Sequence, residues 1–172
     1  VLEGLFFMDT DIGYVVARSG NVYKSVDGGE TWSPNSVSLL GSDQLRDIYF
    51  LSGTTGYLIS RDGYVYKTSD SGLSWAQLNS SSIGAGGQTL VFLNENNGIA
   101  VMNKSIFRTD DGGENWTQVF ESTHELKAIS FLDENIGVVC GSYSQVLRTS
   151  DGGITWVADI VDQNNGIVSF EA

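Results

Sequence analysis

The chain contains one cysteine, one proline and one histidine in 172 residues. A single cysteine excludes an internal disulfide, and the place of Cys140 among valines predicts a buried structural thiol rather than a nucleophile. Pro34 follows closely on Trp32, which predicts an outer edge strand where a missing N–H is tolerated. His124 lies in a connecting segment beside Glu125 and reads as a surface residue, not a base. Basic residues are scarce as well: 9 Lys and Arg stand against 21 Asp and Glu, for a net charge of −12. With no run of Lys or Arg there is no face to replace nucleic-acid counterions, so nucleic acid is excluded and an anionic membrane surface is disfavoured. No apolar run approaches the roughly 18 residues of a membrane span, so no membrane insertion is expected. No signal-peptide pattern is read, which fits a mature or trimmed form. Helical periodicity is absent throughout.

What the chain does have is repetition. The octet Ser25-Val26-Asp27-Gly28-Gly29-Glu30-Thr31-Trp32 recurs as Thr68 to Trp75, Thr109 to Trp116 and Thr149 to Trp156. Each copy has a hydroxyl residue, an Asp two later, a Gly two after that and a closing Trp. The four tryptophans, the only ones present, lie 43, 41 and 40 residues apart. A fixed period near 40 residues with β-type residues between marks a propeller or a similar array. The octet has the chemistry of a tight turn: Asp accepts backbone N–H bonds, Gly supplies positive φ, and Trp plugs the gap between neighbouring sheets. We therefore read Asp27, Gly29, Trp32, Asp70, Gly72, Trp75, Asp111, Gly113, Trp116, Asp151, Gly153 and Trp156 as scaffold. A calcium loop would need more oxygen ligands at alternate positions. No metal and no cofactor are expected.

The residues between octets repeat too. A first strand carries an aliphatic residue and a Phe two apart, on one face: Leu5/Phe7, Ile48/Phe50, Leu90/Phe92 and Ile129/Phe131. A polar turn and a Gly then open a second strand, apolar on both faces, as at Gly13-Tyr14-Val15-Val16 and Gly137-Val138-Val139-Cys140. Such runs predict burial between adjacent sheets. A third strand precedes the octet and a fourth follows it. The expected fold class is all-β: four four-stranded antiparallel propeller blades plus the first strand of a fifth. The repeats fall at approximately 4–44, 45–87, 88–125 and 126–165, with 166–172 starting the fifth, around Val168-Ser169-Phe170. The expectation is a partial propeller, completed by further blades of a longer chain or by self-association.

The octets resemble the Asp-box, or BNR repeat, of sialidases and many secreted propellers. For an enzyme, that likeness implies a cluster of three arginines, a Tyr nucleophile with a Glu, and an Asp acid/base. Only five arginines are present (Arg18, Arg46, Arg61, Arg108, Arg148), and the Arg-Ile-Pro signature is missing. The non-repeating acids Glu3, Asp43, Asp47 and Glu125 form no recognisable glycosidase pair. Over essentially its whole length the chain also resembles the photosystem II assembly and stability factor family and its non-photosynthetic bacterial relatives. The carrying residues are Ile129-Ser130-Phe131-Leu132-Asp133, then Gly137-Val138-Val139, then Ser150 to Trp156. That resemblance implies a non-catalytic propeller that holds other proteins, in photosynthetic members through a basic patch, which this acidic chain lacks.

Internal repetition also separates scaffold from candidate function. Lys24, Lys67, Arg108 and Arg148 recur before each octet and read as stems packed along the blade. Arg18 and Arg61 end the second strand of the first two units only, with the aromatic residues Tyr64 and Tyr143 nearby in sequence. Arg18, Arg61, Tyr64 and Tyr143 are the candidate binding residues, since loop-borne Arg suits carboxylate recognition. Three Asn-x-Ser/Thr triplets begin at Asn79, Asn103 and Asn115. The expected function is a non-enzymatic binding module of an exported protein, engaging a protein or a cell-surface glycan in an extracytoplasmic setting. The alternatives are part of a glycoside hydrolase with its catalytic residues elsewhere, or a structural repeat of a large surface adhesin.

Overall fold

The computed structural model describes residues 1–35, 44–79 and 81–159. They form four antiparallel sheets of four strands, each in chain order from one edge to the other, with no helix among them. The first blade holds β1 (Leu2–Phe7), β2 (Gly13–Ala17), β3 (Val22–Ser25) and β4 (Ser33–Asn35). The second holds β5 (Leu45–Phe50), β6 (Gly56–Ser60), β7 (Val65–Thr68) and β8 (Ala76–Gln77). The third holds β9 (Gly87–Phe92), β10 (Gly98–Met102), β11 (Ser105–Thr109) and β12 (Thr117–Glu121). The fourth holds β13 (Leu126–Phe131), β14 (Gly137–Gly141), β15 (Val146–Thr149) and β16 (Val157–Asp159). This is a four-blade β-propeller arrangement. The strand proposed around Val168 lies outside the described residues. Pro34 sits in edge strand β4 opposite Tyr23, where its missing N–H can face away from β3.

Alternation along the strands gives every blade two apolar faces. A leading face meets the next blade, and a trailing face meets the one before. At the first junction Tyr14, Val16 and Val22 pack on Leu45, Ile48, Phe50, Leu58 and Tyr66. At the second, Tyr57, Ile59 and Val65 meet Leu90, Phe92 and Ala100. At the third, Ile99, Val101 and Ile106 meet Leu126, Val139, Leu147 and Trp156. The first strands β1, β5, β9 and β13 adjoin in that order. Among the described residues no fourth core joins the last blade to the first.

A glycine opens each second strand because an aromatic ring lies on it. A methyl group at Gly13, Gly56, Gly98 or Gly137 would come within 2.8, 2.7, 2.8 or 2.6 Å of the ring of Phe7, Phe50, Phe92 or Phe131. Each of those rings then meets its own octet tryptophan edge-on, with centroids 6.0–6.1 Å apart. So Trp, Phe and Gly form one local stack per blade. The tryptophans cover the trailing face rather than all being plugged equally. Trp156 is 7% exposed, whereas Trp32, with no blade before it among the described residues, is 36% exposed.

The octet turn is a closed hydrogen-bond unit. Thr109 Oγ1 donates to Asp111 Oδ1 (2.8 Å) and accepts from Gly113 N (3.0 Å), while Asp111 Oδ1 accepts from Asn115 N (2.9 Å). The other copies repeat these bonds at Ser25/Asp27, Thr68/Asp70 and Thr149/Asp151. Both octet glycines of the third copy have positive φ (77° and 99°), the region Gly enters without strain. Main-chain bonds tie each octet to the hairpin between the first two strands: Gly28 N to Asp11 O, Ser71 N to Thr54 O, Gly112 N to Asn96 O and Gly152 N to Asn135 O.

One expectation is corrected. Cys140 is exposed, not buried. It occupies the leading-face position of Val16, Ile59 and Val101, but among the described residues no blade follows to cover it. Asn79, which opens one of the Asn-x-Ser/Thr triplets, is 3% exposed. Its Oδ1 accepts from Val65 N and its Nδ2 donates to Gly63 O and Ser81 O, extending the short strand β8 by side chain.

Candidate functional site

The two rims of the molecule differ in chemistry. One carries the octets and the first hairpins; the other carries the turns after the second strands and the connections between blades. Arg18, Arg61, Tyr64 and Tyr143 all lie on the second rim, but the structure gives them separate surroundings. Arg18 Nε donates to Glu3 Oε1 at 2.6 Å, and Glu3 Oε2 accepts from Arg46 Nη1 at 3.1 Å. Glu3 is thus held between two guanidiniums. Arg61 Nη1 donates to Gln44 Oε1 at 3.3 Å. Tyr64 is half-buried against the core of the first junction. Tyr143 is 78% exposed and in the left-handed region (φ 59°), its ring 4.6 Å from that of His124. None of the four lines either cleft described below.

A cleft runs along the inner edge of the blades, with a volume of about 480 Å3. All four first strands contribute: Phe6 from β1, Asp47 and Tyr49 from β5, Leu90 to Phe92 from β9, and Ile129 to Phe131 from β13. Asp133 and Glu134, in the first hairpin of the fourth blade, line it at the octet rim. The cleft therefore mixes aliphatic and aromatic walls with polar groups, Asp47 and Ser130 along it and two acids at the octet rim. A smaller cleft of about 150 Å3 adjoins it between the third and fourth blades, lined by Asn94, Asn97, Arg108, Glu134 and Asp151. Arg108 Nη2 donates there to Asn97 Oδ1 at 2.7 Å.

Asp47 is the buried acid of the cleft. Its Oδ2 accepts from Thr89 Oγ1 (2.6 Å) and Leu90 N (3.2 Å), and its Oδ1 from Ile48 N (2.9 Å). Burial raises the carboxyl above the ordinary value, while those three bonds pull the other way. Burial also raises the phenol of Tyr49. Tyr57 is pushed up to about 12, by burial first and by Glu95 second. Sequence reasoning named Asp47 only as a non-repeating acid. The available signal was positional: register places Asp47 where the other blades have Gly4, Thr89 and Ala128.

The octet aspartates differ from Asp47 in being open to water. The Thr31 hydroxyl, the Ser74 hydroxyl and the Asn115 backbone N–H are the leading causes that hold Asp27, Asp70 and Asp111 at about 2. Both oxygens of each carboxylate accept from their own turn. Lys24 and Lys67 place their ammonium groups 5.2 and 5.5 Å from the ring centroids of Tyr14 and Tyr57, a cation–π contact within each blade. Among the described residues no three His, Cys, Asp or Glu side chains gather as a metal site.

Fold and cleft together define a repeat propeller with an acid-rimmed inner groove of mixed polar and apolar lining. The family model described as "Photosynthesis system II assembly factor YCF48" matches residues 1–129, and the chain belongs to that family. A structure titled "YCF48 bound to D1 peptide" superimposes with a TM-score of 0.73 at 22% identity, covering 91% of this chain and 54% of that one. YCF48 from Cyanidioschyzon merolae gives 0.69 at 21% identity, covering 92% and 55%. An ancestral GH74 enzyme gives 0.72 at 17% identity, covering 90% and 23%. At these identities the structures speak to the fold alone. The chain spans about half the length of the YCF48 structures it matches. A search of curated proteins gives no match. Membership in an assembly-factor family supports a binding and interaction module.

Proposed function

We propose that the protein is a non-enzymatic holder of other proteins that takes an extended segment of its partner into the inner groove. The observation that carries this reading is a cleft lined by the first strands of all four blades, with Phe6, Tyr49 and Phe131 along it and Asp133 and Glu134 at its mouth. Aromatic walls provide contact area at low entropic cost, and the acidic mouth favours a segment bearing Lys or Arg. The net charge of −12 acts in the same direction by steering a cationic partner. The peptide-bound YCF48 relative supports a protein partner over a cell-surface glycan. The scarcity of Lys and Arg and the 21 glycines support an exported protein working outside the cytoplasm.

Titration with fluorescent extended peptides of matched hydrophobicity tests this. Peptides carrying Lys or Arg beside an apolar run should bind, and their Glu counterparts should bind at least tenfold more weakly. Replacing Asp133 and Glu134 by Asn and Gln should remove most of that discrimination. Equal binding of both peptide sets, or hydrolysis of a β-glucan oligosaccharide by the chain, would overturn the reading. Fractionation of the source cells checks the setting.

A further inference from the structure

The groove holds one charge that the scaffold leaves unmatched. Asp47 opens into the cleft and has no ion-pair partner among the described residues. Neighbouring Arg46 is committed to Glu3 at 3.1 Å. The counterparts of Asp47 are Gly4, Thr89 and Ala128, so the other blades form here without an acid. An enclosed carboxylate carries a desolvation cost that a cation offsets. We propose that Asp47 selects a lysine in the partner segment, receiving its ammonium group inside the groove. This rests on the reading of the groove as a holder of extended segments and names the residue type it prefers.

The hydrogen bonds of Asp47 favour lysine over arginine. A carboxylate offers about four lone-pair positions. Oδ2 accepts from Thr89 Oγ1 at 2.6 Å and from Leu90 N at 3.2 Å, and Oδ1 accepts from Ile48 N at 2.9 Å. One position, on Oδ1, is left. A planar guanidinium binds a carboxylate best through both oxygens at once, and both positions on Oδ2 are taken. A compact ammonium needs only the one oxygen. The walls suit the rest of a lysine side chain. Tyr49 lies two residues along β5, on the same face as Asp47, and Phe6 meets its ring edge-on with centroids 5.4 Å apart. Both rings line the cleft, so a four-carbon stem can run along them while its head reaches the carboxylate. Burial raises the Asp47 carboxyl, and a bound ammonium would lower it again.

Short fluorescent peptides that share one apolar, extended sequence and differ at a central residue test this. That residue is lysine, arginine or norleucine, which has the lysine stem without the charge. Wild type should bind the lysine peptide about tenfold more tightly than the norleucine peptide, with arginine between them. Asp47→Thr, which copies Thr89, and Asp47→Asn should each level lysine with norleucine while far-ultraviolet circular dichroism stays that of wild type. Three results would overturn the selection by Asp47 and leave the groove reading standing: equal binding of lysine and norleucine peptides by wild type, an arginine peptide that binds best, or a lysine preference that survives in either folded variant. Binding of none of the three peptides would overturn both.

Discussion

Asn35 takes an acceptor that elsewhere belongs to a tryptophan. Its Nδ2 donates across the first junction to the Gly72 carbonyl at 2.5 Å. In the other copies the equivalent carbonyl accepts from the octet indole: Trp32 to Gly29 at 3.1 Å, Trp116 to Gly113 at 3.0 Å and Trp156 to Gly153 at 3.2 Å. Trp75 Nε1 is buried without a partner. Trp75→Phe should therefore cost less stability than Trp116→Phe, by about 1 kcal/mol, because only the second breaks a made bond. Urea melts of the two variants decide it, and equal losses would contradict the exchange of donors.

The ring on each second-strand glycine leads to a paired prediction. Gly98→Ala forces a methyl group into the Phe92 ring and should destabilise by about 1–3 kcal/mol. In a Phe92→Leu background the same substitution should cost markedly less, because the obstructing ring is gone. A double-mutant cycle by chemical denaturation measures the coupling, and additive effects would show that the ring and the glycine are independent.

Protonation of the octets should loosen the blades in acid. Asp27, Asp70 and Asp111 sit near 2 in the folded chain against an ordinary value of 3.8. Groups lowered on folding contribute stability above the ordinary value, and that contribution is lost as pH falls toward the folded one. The gap in melting temperature between wild type and Asp111→Asn should thus shrink as pH drops from about 5 to about 2. A gap that stays constant or widens would refute it.

Asp47 should behave with the opposite sign. Its carboxyl is raised on folding, so its contribution is greatest below the ordinary carboxyl value and falls as pH rises through the folded one. Asn at this position keeps an oxygen for Thr89 and Leu90 without the buried charge. Thermal melts across pH 4 to 7 should therefore show Asp47→Asn gaining on wild type as pH rises. A parallel pair of curves would mean that the site carries no net ionisation cost.

Most of the blade was legible because four copies of one unit average out local ambiguity. Leu5/Phe7 and its counterparts announce one strand face, and the octets announce the turn. What escaped sequence reasoning depends on neighbours in space. Cys140 reads like Val16, Ile59 and Val101, yet its exposure is set by the blade beyond it. Asn79 sits in a glycosylation triplet, yet its side chain completes a strand. The candidate residues Arg18, Arg61, Tyr64 and Tyr143 were chosen for breaking the repeat on a loop-bearing rim. The inner cleft instead comes from scaffold strands, where repetition hides any local signal, and only Asp47 broke the pattern there.

The main-chain bonds between octet and hairpin divide the work of the octet rim between backbone and side chains. At each hairpin tip one residue (Asp9, Ser52, Asn94 or Asp133) caps its own turn by side chain. The octet itself is gripped through a peptide carbonyl, which every amino acid carries. That grip leaves the side chains at positions 10, 53 and 95 out of the scaffold, whereas Glu134 accepts from Asn94 Nδ2 of the neighbouring blade at 3.0 Å. Recognition can be rewritten at those three positions one residue at a time, while the architecture beneath stays as it is.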